Sequence, residues 1–493
     1  MVLQVRDPPI GRLTVPPTIQ LRNDASGQVG TEMRTALAIA VILCMFAFAA
    51  DGLSAYLTGD DLMNTYSYWT RPTIQLIKEG FIFYPAEVFR PLGALYYCPL
   101  FKLFGLNPLP YRIVGMALLL ANLGLLYLFC LRLSRSREVA ALACLLGAYH
   151  AHLGDLYYNS GTIYDLLCFT CLYIALLYYM KIRDEGSYPG LWQTIALLAL
   201  YIAALDAKEM AVALPVIVVI YELVFHPPKP SLRWPLREGR FVLLSIPVTI
   251  AYILNKVTGP NRIVTNESYR PVFTVDSFTL GWKHYLYDLF YTTVTFTGAT
   301  IVMLAAAMLI VAWISRRREL VFACLAIVAG ALPIIFIPPR GLYGIYLTLP
   351  AWYLFASVCL VILRGRLIPD TIPAPAQQIA LFVAVALLLL PLHRREKLIT
   401  RTEPATKDPV RSVDRRLTAK YPSMPKEARI LFLSDPFETY DYTLTFLFRL
   451  HYRDKEIQVD RVKVMGAEPN PEGRKSYHHI FRLTGGEVSE VDP

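Results

Sequence analysis

TALAIAVILCMFAFAADGLSAYLTGDDLMNTYSYW, residues 35–69, is the stretch on which the fold turns. The run Thr35–Leu57 is apolar apart from Asp51. At 1.5 Å per helical residue it is long enough to cross a hydrocarbon core of about 30 Å. Two adjacent carboxylates, Asp60 and Asp61, follow at once and lead into a segment dense in tyrosine and tryptophan. A charged side chain at the centre of a bilayer costs about 2.5–3.5 kcal/mol, so acids beside a span need a reason. One reason is a solvated cap that closes the span. The other is an acid or base held at the mouth of a membrane cavity, which agrees better with the rest of the chain.

Further apolar runs at Gly115–Leu131, Leu197–Ala204 and Leu381–Leu392, with 55% hydrophobic residues, exclude an ordinary soluble protein. The expected fold class is all-α and polytopic, a membrane protein whose natural surroundings are lipid. A net charge of +10 calls for no nucleic-acid partner, because basic residues collect in the cytoplasmic loops of membrane proteins. Seven of the eight cysteines, Cys44, Cys130, Cys144, Cys168, Cys171, Cys324 and Cys359, lie in apolar segments, and Cys98 lies near them. They read as small packing residues, not as a disulfide framework or metal site.

Arginines before Thr35 and acids after Leu57 place the N-terminus in the cytoplasm and the acidic pair outside. The Pro-rich stretch 1–33 is then a flexible cytoplasmic tail. Residues 58–109 form the first external loop. Within it FRPLGALYYCPLFKLFG, Phe89–Gly105, tempts a span assignment. Counting it as a span would put Arg132, Arg135 and Arg137 outside and invert every later loop, so it is read as an interfacial or re-entrant helix. Spans follow at about 110–131, 138–152, 160–180, 190–205, 209–226, 240–257, 291–314, 319–338, 342–363 and 377–392. That makes about eleven with the first, in a transmembrane unit covering 34–392.

A Pro- and charge-rich linker, 393–425, leads to a different composition. ARILFLSD (Ala428–Asp435) reads as a buried strand, TYDYTLTFLFRLHYR as an amphipathic helix and EIQVDRVKVM as a second strand. Tyr477–Leu483 and Glu487–Val491, joined by Thr484-Gly485-Gly486, suit a hairpin. Residues 426–493 are thus expected to be a small α/β domain on the extracytoplasmic face.

Fixed charges gather at the outer loops. Glu87 and Arg90, spaced to share a helical face, join Asp60 and Asp61 in the first. His150, His152, Asp155 and Asn159 lie in the second, and Asp206, Lys208 and Glu209 in the third. Arg262, Glu267, Arg270 and His284 occupy the fourth, and Arg340 follows Pro338-Pro339 in the fifth. A channel wants rings of one sign, and a transporter wants charges or broken helices near the midplane. Here the mid-span positions read as largely clean, so chemistry at one face fits better than passage through the middle.

These pieces, in this order, resemble the GT-C fold membrane glycosyltransferases that use polyprenyl-phosphate sugars, among them the protein O-mannosyltransferases and the lipid A aminoarabinose transferase. The resemblance rests on five features. They are the acidic pair after the first span, FRPLG leading to LFGLNPLPYR, the Arg-rich loop after the second span, Ala207-Lys208-Glu209, and Arg340 with Leu342-Tyr343 and Leu349-Pro350. It implies an inverting transferase in a bacterial inner membrane with a periplasmic site. The sugar would pass from a polyprenyl-phosphate donor to a lipid, glycan or protein acceptor. It implies Asp60 or Asp61 as general base, with Asp60 favoured as the first acid after the span. Arg90, Lys208 and Arg340 would hold the donor phosphate, and Glu87 or Glu209 would orient those cations or contact the sugar. Tyr66 and its aromatic neighbours suit sugar stacking or an interfacial belt equally. Asp155 is a supporting candidate. The His150, His152, Asp155 cluster is read as interfacial polarity, so no divalent metal or other cofactor is expected. The competing readings are a transporter or flippase of lipid-linked glycans, and a non-catalytic scaffold.

Overall fold

The computed structural model describes residues 27–82, 90–227, 239–259, 262, 265, 267–369, 371–400, 409–439, 441–484 and 487–492. Glu87, Gly485-Gly486 and most of the N-terminal tail lie outside them. In chain order the helices are α1 (Gly27–Ala49), α2 (Gly59–Trp69), α3 (Thr73–Ile82), α4 (Ala94–Phe104), α5 (Pro108–Ser134), α6 (Arg137–Gly147), α7 (Gly154–Tyr158) and α8 (Ile163–Asp184). They continue as α9 (Leu191–Ala207), α10 (Leu214–Phe225), α11 (Arg240–Thr258), α12 (Val275–Phe290), α13 (Gly298–Ser315) and α14 (Arg318–Ile335). Then come α15 (Leu349–Leu367), α16 (Ala374–Thr400), α17 (Pro409–Lys420) and α18 (Thr443–His451), before two four-residue helical turns, Val462–Met465 and Pro471–Arg474.

Lipid offers the backbone no hydrogen bonds, so a span must be a helix or part of a closed barrel. Among the described residues, eight helical stretches are long and apolar enough to cross: Thr35–Ser54, Pro108–Ser134, Ser160–Asp184, Arg240–Thr258, Gly298–Ser315, Arg318–Ile335, Leu342–Leu367 and Ala374–Thr400. A ninth is counted if Arg137–Gly147 and Ala151–Tyr158, bent by 67°, form one broken span. This differs from the eleven expected. The reason lies mainly at Lys208-Glu209, where a short 3-10 turn, Glu209–Ala213, interrupts the apolar sequence. It leaves α9 with 17 residues and α10 with 12. The outward faces carry Leu43, Trp313 and Leu388, exposed as lipid-facing side chains are.

The basic loops sit at one end of the bundle, where ion pairs join Arg183 to Glu222 (2.7 Å), Arg364 to Glu138 (3.3 Å) and Arg132 to Asp184 (3.6 Å). Arg135 and Arg316, both left-handed, stop α5 and α13 there. At the other end lies α4, an 11-residue helix. At about 16 Å it is too short to span. It buries Tyr96, Tyr97, Leu100 and Phe101 and exposes Leu95, Leu103 and Phe104, the pattern of an interfacial helix.

The C-terminal part forms a four-stranded sheet from β1 (Arg429–Ser434), β2 (Gln458–Arg461), β3 (His479–Thr484) and β4 (Glu487–Glu490), in the order β2-β1-β3-β4. β1 runs parallel to both β2 and β3, whereas β3 and β4 are antiparallel. Ile430, Leu431 and Phe432 are fully buried, as the apolar run requires. The strand expected over Glu456–Met465 is shorter. It ends at Arg461, and Val462–Met465 makes a helical turn closed by left-handed Gly466. Phe448 of α18 packs on Phe432 and Phe481. One buried apolar cluster runs without a break from the bundle into this sheet.

Candidate active site

Thr58 and Asp61 close the start of α2 as a capping box. Asp61 N donates to Thr58 Oγ1 (3.3 Å), and Thr58 N donates to Asp61 Oδ2 (2.9 Å). The same Oδ2 receives Arg112 Nη2 at 3.1 Å, and the Asp61 side chain is wholly buried. Arg112 also donates to Ser160 Oγ (2.6 Å) and to the carbonyls of Ala55 (3.2 Å) and Tyr56. Burial pushes the Asp61 carboxyl above the usual aspartate range, against the pull of Arg112 and of the Thr58 amide. Asp61 is therefore bound into the scaffold.

Asp60 has the opposite surroundings. It is exposed on the first turn of α2, where the helix dipole favours an anion. Its Oδ1 accepts from the Tyr442 hydroxyl at 2.8 Å. On its other side is Gly161, where an added Cβ would lie 3.0 Å from Asp60 Cβ and 3.4 Å from its Oδ2. Asn159 Oδ1 would be closer still, at 2.9 Å, so Asp60 and Asn159 pack directly against Gly161 and a side chain there would displace them.

A cluster of charges lies close by. Arg90 Nη2 donates to both oxygens of Glu209, at 3.0 and 3.1 Å, with its guanidinium 5.1 Å from the Tyr164 ring centroid. Tyr68 donates to the Arg90 carbonyl (2.6 Å) and shares a 2.8 Å hydrogen bond with Tyr164. Lys208 pairs with Asp165 and lies 5.2 Å from the Tyr343 ring. Burial would raise the Glu209 carboxyl, but Arg90, then Lys208 and Lys256, pull it down to about 2. Arg340 stacks on Tyr269, 3.7 Å from the ring centroid, and its carbonyl meets the His284 ring. Asp155 is exposed, within Coulombic range of Asp60 and Asp165, and its Oδ2 would be 3.7 Å from a Cβ on Gly341. Tyr343 lies within the same range of Asp155, Arg340 and Asp165, and so links the two sides.

The fold thus gathers Asp60, Asp155, Arg90, Lys208, Glu209 and Arg340 in one neighbourhood. Tyr66 is elsewhere engaged. Its ring meets Phe446 (5.1 Å between centroids) and lies under Arg449, both from the C-terminal domain. Arg90 is not helical (φ −144°, ψ 80°), so the helical face proposed for it with Glu87 does not form at that residue. His152 turns to Asp288 (3.1 Å) and Glu396 (3.8 Å). Among the described residues no group of three or more His, Cys, Asp or Glu side chains is arranged to hold a metal ion.

Four participants escape the sequence reading: Arg112, Asp165, Lys256 and Tyr442. Arg112 closes the LFGLNPLPYR stretch, and Asp165 and Lys256 are charges inside apolar helices, which is itself a signal. Both stand at helix ends, Asp165 in the first turn of α8 and Lys256 in the last turn of α11. Tyr442 meets Asp60 across 382 residues, and nothing local announces it.

No family model and no curated protein sequence matches the chain. Among solved structures it is similar to ArnT from Cupriavidus metallidurans in the apo state. The TM-score is 0.55 at 14% identity, covering 92% of this chain and 93% of that one. The likeness spans nearly all of both chains and shows a shared fold.

Proposed function

We propose that this chain is an inverting glycosyltransferase. It moves a sugar from a polyprenyl-phosphate donor to a hydroxyl of a lipid, glycan or protein, on the periplasmic face of a bacterial inner membrane. The observation that carries the reading is the division of labour in the acidic pair. Asp61 is buried in a cap and an ion pair, whereas Asp60 is exposed beside the charge cluster. The shared fold with ArnT, a lipid A aminoarabinose transferase, supports the reaction class.

In the reaction we envisage, the acceptor oxygen attacks the anomeric carbon from the face opposite the phosphate. The new C–O bond forms as the bond to the phosphate oxygen breaks, and the electron pair leaves with the phosphate. The acceptor proton passes to Asp60. One displacement inverts the anomeric centre, and no second carboxylate nucleophile is called for, unlike a retaining glycosidase. A lipid phosphate is already a stable anion, so the site has to offer it positive charge. Arg340, which lies over the Tyr269 ring, would supply a planar two-pronged grip. Arg90 and Lys208 already hold Glu209 and Asp165, so they would add field to the site while those carboxylates keep them in place. This mechanism calls on no cofactor. Asp155 would orient the acceptor or the sugar.

The test is to reconstitute the wild-type chain in vesicles with a panel of radiolabelled polyprenyl-phosphate sugars and extracted lipids, glycans and proteins. Label moving to an acceptor with inverted anomeric configuration supports the reading. Retention of configuration refutes the single displacement. Label that crosses the bilayer chemically unchanged supports a flippase instead.

A further inference from the structure

The neighbourhood of Asp60 is completed from the far end of the chain. Tyr442, at the N-terminus of α18, donates its hydroxyl to Asp60 Oδ1 at 2.8 Å. Burial, then the bond to Asp60, holds that hydroxyl protonated well above the usual tyrosine range, so it stays a donor. The approach is close. A Cβ on Gly59, the residue before Asp60, would stand 2.6 Å from Thr443 Oγ1, so only glycine lets α18 come this near.

The loop that delivers Tyr442 is also held. Arg461, 5% exposed, grips Asp435 Oδ1 (2.6 Å) and Oδ2 (3.0 Å). It also donates to the carbonyls of Phe437 (3.2 Å), Glu438 (2.8 Å), Thr439 (3.2 Å) and Asp441 (2.6 Å). Lys463 adds bonds to the carbonyls of Asp435 (2.7 Å) and Phe437 (2.5 Å). Fixing a loop costs backbone entropy, and this fork of donors offsets that cost along the segment leading to Tyr442. At the segment's end Asp441 Oδ1 accepts from Thr443 N (2.6 Å) and starts the helix.

We infer that Tyr442 is a positioning residue of the transfer site, and that the C-terminal domain supplies it. An exposed carboxylate at a helix start is otherwise free to turn about its terminal torsion. With Oδ1 held by Tyr442 the carboxylate plane is fixed, and Oδ2 is the oxygen that would take the proton of an acceptor hydroxyl. The domain thereby belongs to the active site and is more than a cover over it. This inference rests on Asp60 being the base.

Tyr442→Phe tests it, because the ring keeps its contact with Phe446 (5.4 Å) and only the hydroxyl is lost. The assay is single-turnover transfer in vesicles, using whichever polyprenyl-phosphate sugar of the panel the wild type accepts. The rate should fall roughly ten- to a hundredfold, the scale of a hydrogen bond to a charged group, with the donor KM unchanged. In an Asp60→Asn background the same substitution should cost nothing more, since residues acting through one another are not additive. A wild-type rate in Tyr442→Phe, or an undiminished further loss in the Asp60→Asn background, overturns the inference and leaves Asp60 as base. A faster Tyr442→Phe overturns it too and makes the domain a lid. An Asp60→Asn rate equal to wild type removes the base, and the inference with it. A wild type that transfers no sugar ends both. Should Tyr442→Phe fail to fold, Arg461→Lys carries the same test, because a lysine cannot fork to the loop carbonyls and should slow transfer in the same direction.

Discussion

Asp61→Asn should behave as a stability mutant, and its size can be worked from the contacts. The wild-type side chain is 0% exposed and receives Arg112 Nη2 at 3.1 Å and the Thr58 amide at 2.9 Å. Asparagine keeps the volume and one acceptor but removes the charge that balances Arg112, itself 4% exposed. Breaking a buried ion pair from one side typically costs about 3–5 kcal/mol. Arg112 retains the carbonyls of Ala55 and Tyr56 and the Ser160 hydroxyl, so the lower end, about 3 kcal/mol, is expected. The capping box weakens as well, by about 0.5–2 kcal/mol if the cap bond is lost. Asp60→Asn, on an exposed side chain, should shift stability by no more than about 0.5 kcal/mol. Thermal melts of the two purified variants in one detergent, read against wild type, make the comparison. Equal melting of Asp61→Asn and wild type, together with lost transfer, would refute the assignment of Asp61 to the scaffold and move the base there.

Gly59→Ala should cost about 1–3 kcal/mol, because the new Cβ meets Thr443 Oγ1 at 2.6 Å; adding Thr443→Ala should restore most of it, as read by limited proteolysis of the C-terminal domain. Arg340→Lys keeps the charge but loses the planar stack on Tyr269, so the donor KM should rise about tenfold with protein folding unaffected, measured by initial rates across donor concentrations. The depressed Glu209 carboxyl sets a pH dependence. Its folded value, about 2, lies below its unfolded value of 4.5, so its stabilisation is complete above 4.5 and is lost as pH falls toward 2. The melting difference between wild type and Glu209→Gln should accordingly be constant above 4.5 and narrow below it, and a difference that grew on acidification would contradict the Arg90–Glu209 pairing.

The bundle was legible because its signal is local. Apolar runs of span length, with arginines gathered at alternate loops, dictate a helical membrane protein, and Phe89–Gly105 was separated from the spans by charge alone. The two acids differ for a reason that the sequence also contains, since Thr58-Gly59-Asp60-Asp61 is a capping-box pattern that assigns the second acid to the helix start. That pattern was there to be used. Lys208 and Glu209 stand out as charges between apolar runs, but the sequence does not show their distant partners, Asp165 and Arg90, which they reach because they stand where the chain turns between two helices. Asp165 was missed by treating the spans as uniformly apolar, although a carboxylate in a membrane helix already asks for a cation. Tyr442, Arg461 and the seating of α18 on α2 depend on contacts across hundreds of residues, and neither periodicity nor spacing reports those.

The most direct test of the central claim is the single-turnover rate of sugar transfer in Asp60→Asn, measured beside Asp61→Asn in the same reconstituted vesicles. With Asp60 as the base, Asp60→Asn should melt like wild type while its rate falls at least about a hundredfold, the contribution typical of a positioned general base. Correctly folded Asp61→Asn should keep most of the activity. A folded Asp60→Asn that transfers sugar at the wild-type rate would contradict the account.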